Sequence, residues 1–377
     1  MTRRERLMAT LRGAPVDRPA VSFYEINGLD ERPDHPDPFN IYSHPSWQPV
    51  LDLARAQTDR IVMRGVAFDA VTPDPLTGLT REQTVVTGAS RLTTRTIAAG
   101  GRMLVTRTRR DRDVNTVWTE EHLLKGVDDL QLFLSLPEPS ADGRVNPAKV
   151  LEAEAQLGDT GIVMIDTPDP LCLAASLFDM AEYTVIAMTE PAIFRRLLDR
   201  FAAMLFPKTE AVATALPGRL WRIYGPEYAA PPYLPPALFR EYVCTYVTPM
   251  VAAIRRYGGY ARIHCHGNLR AILDDIAGMG TDGLDPIEPP PQGDVELRYV
   301  RKRYGHQLVL FGNLEASDIE NLDTPLFAEK VRRALDEGTS GEGRGFVLMP
   351  SACPYGRVLP PLALRNYETI VKLADAG

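Results

Sequence analysis

The sequence predicts a (β/α)8 barrel with an N-terminal extension and an inserted antiparallel β meander. Two observations carry that expectation and a third narrows it. After Pro137, short apolar runs alternate with amphipathic stretches, as in successive βαβ units. Between Leu79 and His122 the alternation gives way to β-rich runs separated by turn residues. A doubly wound sheet would share the alternation, but no strand is followed by a glycine-rich G-x-G-x-x-G turn. The chain of 377 residues is read as one barrel domain, residues 1–377, with 79–122 as its insertion.

In chain order, residues 4–11 read as a short helix stopped by Gly13 and by the prolines of Pro15-Val16-Asp17-Arg18-Pro19. Residues 25–48, rich in Pro, Asp and His, read as a long loop. The meander is expected in runs 83–87, 92–97, 103–108 and 114–119, punctuated by Gly88, Gly100-Gly101 and Asp111 to Asp113. Barrel strands are expected at 161–165, 220–224, 261–265, 283–287, 308–311 and 346–349. Helices are expected between them at 191–205, 236–257, 269–279 and 325–337.

Composition bounds the function. Hydrophobic residues make up 45% and charged residues 24%, enough for a sizeable core. A net charge of −7 argues against a nucleic-acid partner, because phosphate binding needs a basic surface. No stretch approaches the roughly 20 apolar residues that span a bilayer, and no apolar segment follows the basic N-terminus as a signal peptide would require. The cysteines Cys172, Cys244, Cys265 and Cys353 are scattered, a pattern that suits a reducing compartment. A cytoplasmic enzyme acting on a small molecule is expected; a homodimer is left open.

Polar residues collect where each apolar run ends. They are Asp166 to Asp169, Tyr224 to Tyr228, His264-Cys265-His266-Gly267-Asn268, Glu288-Pro289-Pro290, Gly312 to Glu315, and Ser351-Ala352-Cys353-Pro354. In a barrel these ends share one face, where active sites are assembled. Residues two apart on a strand point the same way, so Arg262, His264 and His266 face the barrel axis and Cys265 faces the helices. Two imidazoles on one face are a chelating arrangement, or simply a hydrogen-bonded pair. Cys353 alone reads as readily as a core cysteine. Glu288 could be a solvated loop carboxylate, and Asp166 and Glu227 share that ambiguity, Asp166 also suiting a helix cap.

These residues resemble the uroporphyrinogen decarboxylase superfamily, in the branch of the methylcobalamin:coenzyme M methyltransferases. The resemblance runs through Glu5-Arg6-Leu7, Leu11-Arg12-Gly13, Val16-Asp17-Arg18-Pro19, residues 236–243, His264 to Asn268, residues 280–285, Gly312-Asn313 and the 351–354 turn. It implies a TIM barrel and a zinc site whose ligands fall on His264, His266, Glu288 and Cys353. It also implies a methyl group taken from a corrinoid on a separate protein, since no cobalamin-binding domain is recognised in this chain. Glu227 and Asp166 would then serve as catalytic acid/base groups, and Tyr228 and Asn313 would contact substrate. His266 stands where the branch has a cysteine, which leaves a harder metal and opens the substrate beyond thiols. The decarboxylases themselves match less well: their Arg-Gln-Ala-Gly-Arg-Tyr segment is replaced here by residues 21–28, without arginines. A metal-dependent decarboxylase or lyase acting on a small carboxylate is the alternative expectation.

Overall fold

In a computed structural model, residues 1–23, 25–27, 32–138 and 143–375 are described. Eight parallel strands form the expected barrel: β1 (Ala20–Val21), β2 (Arg60–Arg64), β3 (Gly161–Pro168), β4 (Leu220–Tyr224), β5 (Tyr260–His264), β6 (Gly283–Asp285), β7 (Val309–Leu314) and β8 (Phe346–Pro350). From β2 to β8 each strand pairs with the next in chain order, and β1 pairs with β8. The seam between β1 and β2 is closed by one residue instead of a ladder. The Asp59 amide donates to the Val21 carbonyl at 2.6 Å, and its carboxylate accepts from the Val21 amide at 2.8 Å. That carboxylate is fully buried and also takes Arg6 and Arg18, the latter at 2.9 Å.

Period-two alternation sorts the strands into two cores. Ala261, Ile263 and Cys265 belong to the large core under the helices, as the sequence predicts. Ile162, Met164, Leu220, Val309, Phe311, Val347 and Met349 cluster with Leu7 and Leu11. The helix α1 (Arg3–Arg12) thus closes the bottom of the barrel with its apolar stripe. It starts on a Thr2–Glu5 capping box and stops at Gly13, whose φ of 69° suits a residue without Cβ.

Several expectations needed correction in detail. The strands β1 and β2 gave no legible apolar run, one being two residues long and the other ending in arginines. The helix expected at 191–205 runs as α2 (Pro191–Ala215) straight through Pro207. The stretch 236–257 is helical but passes through a π-turn at Arg240–Cys244. Within 25–48, short 3-10 turns occupy Ile41–Ser43 and Pro45–Trp47, while residues 24 and 28–31 lie outside the described residues.

The meander is a four-stranded antiparallel sheet of Thr80–Thr87, Ser90–Ala99, Arg102–Asp111 and Val117–Glu121. The first three strands are longer than the expected runs because threonines and arginines continue the ladders beyond the apolar residues, whereas the fourth begins at Val117 rather than Val114 and runs on to Glu121. Ile97 and Leu104, directly opposite each other, are buried against the body. Its far end meets the turn after β8: the Asn115 amide donates to the Tyr355 carbonyl at 2.8 Å, and the Arg357 amide to Asp113 at 2.7 Å. The insertion therefore leans toward the face where the strands end.

Candidate functional site

Inside the barrel the strand register stacks three levels. Met164, Leu220 and Tyr260 stand side by side at the lowest. One step up come Asp166, Arg222 and Arg262, and above them Pro168, Tyr224, His264 and Asp285. Charged groups thus sit on an apolar floor, at the end of the barrel where active sites are built.

Asp285 organises the most buried cluster of charges. It is fully buried and lies 2.7 Å from Arg262 Nε, with a second contact from Nη2 at 3.0 Å. His264 Nδ1 meets the same carboxylate at 2.7 Å. Arg262 also lies over the Phe311 ring at 4.8 Å. Burial would raise the Asp285 carboxyl, but Arg262 and His264 overcome it and hold it below its ordinary value. Burial holds the His264 imidazole below its ordinary value despite Asp285.

The second imidazole has its own carboxylate. His266 Nδ1 lies 2.9 Å from Glu288 Oε1, while Glu288 Oε2 accepts from the Gly267 amide at 2.9 Å. Burial opposes the charge of His266, and the Glu288 hydrogen bond and charge outweigh it and raise the imidazole. Glu288 is correspondingly lowered, since its contact with His266 outweighs burial. The two rings are perpendicular, with centroids 4.6 Å apart.

On the neighbouring strands β4 and β3, Arg222 grips Asp166 with two bonds, 2.6 Å from Nε and 3.2 Å from Nη2. Burial pushes the Asp166 carboxyl up to about 7, against the pull of Arg262 and with the help of Glu25 and Asp285. Burial likewise lowers Arg222 to about 10.

The structure therefore brings His264, His266 and Glu288 together and puts Asp166 on the same inner surface. Glu227 turns back on its own loop, accepting from the Gly225 amide at 3.1 Å. The Tyr228 carbonyl accepts from the Tyr183 hydroxyl at 2.8 Å. Asn313 lines a side cavity of about 120 Å³ with Pro289 and Pro290. Cys353 is half-buried; its thiol donates to the Pro354 carbonyl at 3.0 Å and lies 3.9 Å from the Tyr42 hydroxyl.

The histidine half of this arrangement fits zinc. Metal-binding imidazoles characteristically give their second nitrogen to a carboxylate, and both do so here. The other half is not assembled. Both Glu288 oxygens are engaged behind His266, and among the described residues no three His, Cys, Asp or Glu side chains converge to hold a metal.

Three residues of the site escaped functional assignment from sequence: Asp285, Arg222 and Arg262. The arginines were the more readable. Each interrupts an apolar strand at an inward position, Leu220-Trp221-Arg222 and Tyr260-Ala261-Arg262.

Comparison with solved structures places the whole chain on a methyltransferase from Methanosarcina mazei. The TM-score is 0.60 and the identity 18%, covering 100% of this chain and 99% of that one. At this identity the likeness is one of fold. A D-psicose 3-epimerase (12% identity, 61% of this chain and 82% of that chain, TM-score 0.36) matches only loosely. The D-psicose 3-epimerase from Clostridium cellulolyticum H10 does likewise (12%, 61% and 84%, 0.37). No curated protein matches the chain significantly. The uroporphyrinogen decarboxylase (URO-D) family model matches residues 155–376, from the helix before β3 to the C-terminal helix, a span that holds β3 to β8 and every inward-facing residue described above. The chain belongs to the uroporphyrinogen decarboxylase family.

Proposed function

We propose that the protein is a zinc-dependent methyltransferase of this family. On this reading His264, His266 and Cys353 hold the metal, and the methyl group comes from a corrinoid on a separate protein. The observation that carries it is the perpendicular imidazole pair, each ring held at Nδ1 by its own carboxylate. The full-length likeness to a protein named as a methyltransferase supports the same class. Zinc would supply Lewis acidity that lowers the pKa of a bound thiol or other nucleophile.

The chain's own residues then have distinct tasks. Asp285 fixes the orientation of the His264 ring, and Arg262 keeps Asp285 ionised in the barrel interior. Glu288 does for His266 what Asp285 does for His264, so its part in the metal site is to orient a ligand. Asp166, with its carboxyl near neutrality and tied to Arg222, is suited to take or return the proton of the nucleophile. Glu227 and Tyr228, on the loop after β4, and Asn313 on β7 border the substrate.

Elemental analysis of the purified protein and its His266→Ala and Cys353→Ser variants tests the ligand set. About one zinc per chain, lost or weakened in both variants, is expected. A folded, zinc-free wild type would sink it. A second reading is a lyase or decarboxylase acting on a small carboxylate, which would have to take the place of Asp166 on the buried Arg222 fork. Carbon dioxide release without any methyl donor would select it.

A further inference from the structure

A recess opens where the second and third barrel strands part. The β2–β3 ladder ends at Arg64 opposite Ile165, yet β3 continues to Pro168. Past Gly65 the chain leaves the barrel to form the strand Ala67–Ala70, which pairs with Gly143–Asn146 instead. The gap is a cavity of about 220 Å³, bounded on its far side by α2. Phe68, Leu205 and Trp221 give it apolar walls, and Asp166 borders it from the side of the barrel interior.

Among the described residues, one charge in that recess lacks a counterion. Lys208, half-buried on α2, stands over the Phe68 ring with its ammonium 5.3 Å from the centroid. Among the described residues no carboxylate lies within ion-pair distance of it. Asp166, the acid bordering the recess, is already gripped twice by Arg222. The recess thus offers apolar walls, the side chains of Thr167 and Thr209 and, among the described residues, one cation without a carboxylate partner. A cation on a half-buried side chain gains more from an anionic partner than a fully exposed one does, because surrounding water screens it less.

We propose that this recess is a binding site for small monocarboxylic acids with a short apolar body, the carboxylate on Lys208 and the chain against Phe68 and Trp221. The volume is below that of a drug-sized pocket and suits about six to nine non-hydrogen atoms. The site shares Asp166 with the barrel interior, so a ligand there would lie beside the candidate catalytic groups. It stands apart from the methyl-transfer reading, because binding is measured without turnover.

The probe pair is hexanoate and 1-hexanol, titrated into the full-length protein by calorimetry and followed by Trp221 fluorescence, with Trp221→Phe identifying that signal. Hexanoate is expected to bind at about millimolar Kd and at least about tenfold more tightly than hexanol. Lys208→Met should erase the preference while leaving the circular dichroism spectrum unchanged. Equal binding of acid and alcohol to the wild type would overturn the proposal. So would an acid preference that survives in Lys208→Met, which would place the anion at another cation. The wild-type comparison decides the matter even if a variant misfolds.

Discussion

At the scale of single residues, the barrel interior is governed by which buried charges have partners. Asp285 joins a guanidinium and an imidazole where water cannot replace either. Removing it strands Arg262, so Asp285→Ala should lose about 3–5 kcal/mol of stability in urea unfolding. Asp285→Asn, which keeps the shape, should instead weaken zinc binding by roughly 10- to 100-fold through misorientation of His264; unchanged affinity would refute the orienting role. Glu315 shows the opposite imbalance. Burial pushes its carboxyl up to about 7, with the charge of Glu288 adding to the shift. A folded pKa above the unfolded one means that its contribution is fully present below about 4.5 and is lost as pH rises through about 7. Glu315→Gln should therefore narrow the difference in stability between pH 6 and pH 8.5, as urea midpoints will reveal.

At the scale of elements, α1 is more than a leading helix. Its Leu7 and Leu11 close the barrel floor, and its Arg6 reaches both Asp17 and Asp59. The hydrogen bond from Arg6 holds the Asp17 carboxyl well below the usual carboxylate range. A depressed folded pKa gives stability that is present above about 4 and lost as pH falls further. Acid unfolding should begin in this region, and Asp17→Asn should flatten the fall of Tm below pH 4. An unaltered acid limb would show that other carboxylates dominate. The α1 capping box is worth about 1 kcal/mol, which Thr2→Ala should remove.

At the scale of the whole molecule, one carboxylate completes the barrel. The ladders run from β1 through β8 back to β2, and Asp59 spans the remaining seam while neutralising two arginines. Asp59→Ala should cost about 3–5 kcal/mol, more than substitution of exposed Trp118 in the meander, which should stay within about 0.5 kcal/mol. Equal costs, measured by chemical unfolding, would mean that the seam is held by packing alone. The insertion is joined to the barrel mouth through the 355–357 turn, so its loss would disturb the loop that bears Cys353.

Alternation of apolar runs was enough to establish β3 to β8 and the side on which each residue lies, because pleat geometry depends only on position along the strand. It also brought Asp166, His264, His266 and Glu288 to one end of the barrel, since strand ends collect there whatever the loops do. Short β1 and charged β2 were illegible because their pairing depends on neighbours distant in sequence. What each site residue touches was likewise decided only in three dimensions. Asp285 looked like an ordinary strand end, and its meeting with Arg262 and His264 is set by the register between β5 and β6. Glu288 could be read as a possible ligand or as a solvated loop carboxylate, and its contacts, both oxygens turned to His266 and Gly267, are set by how its loop packs against the end of β5. Residue type and spacing determine which chemistry is available; the packing of separate strands determines which groups spend their bonds on each other.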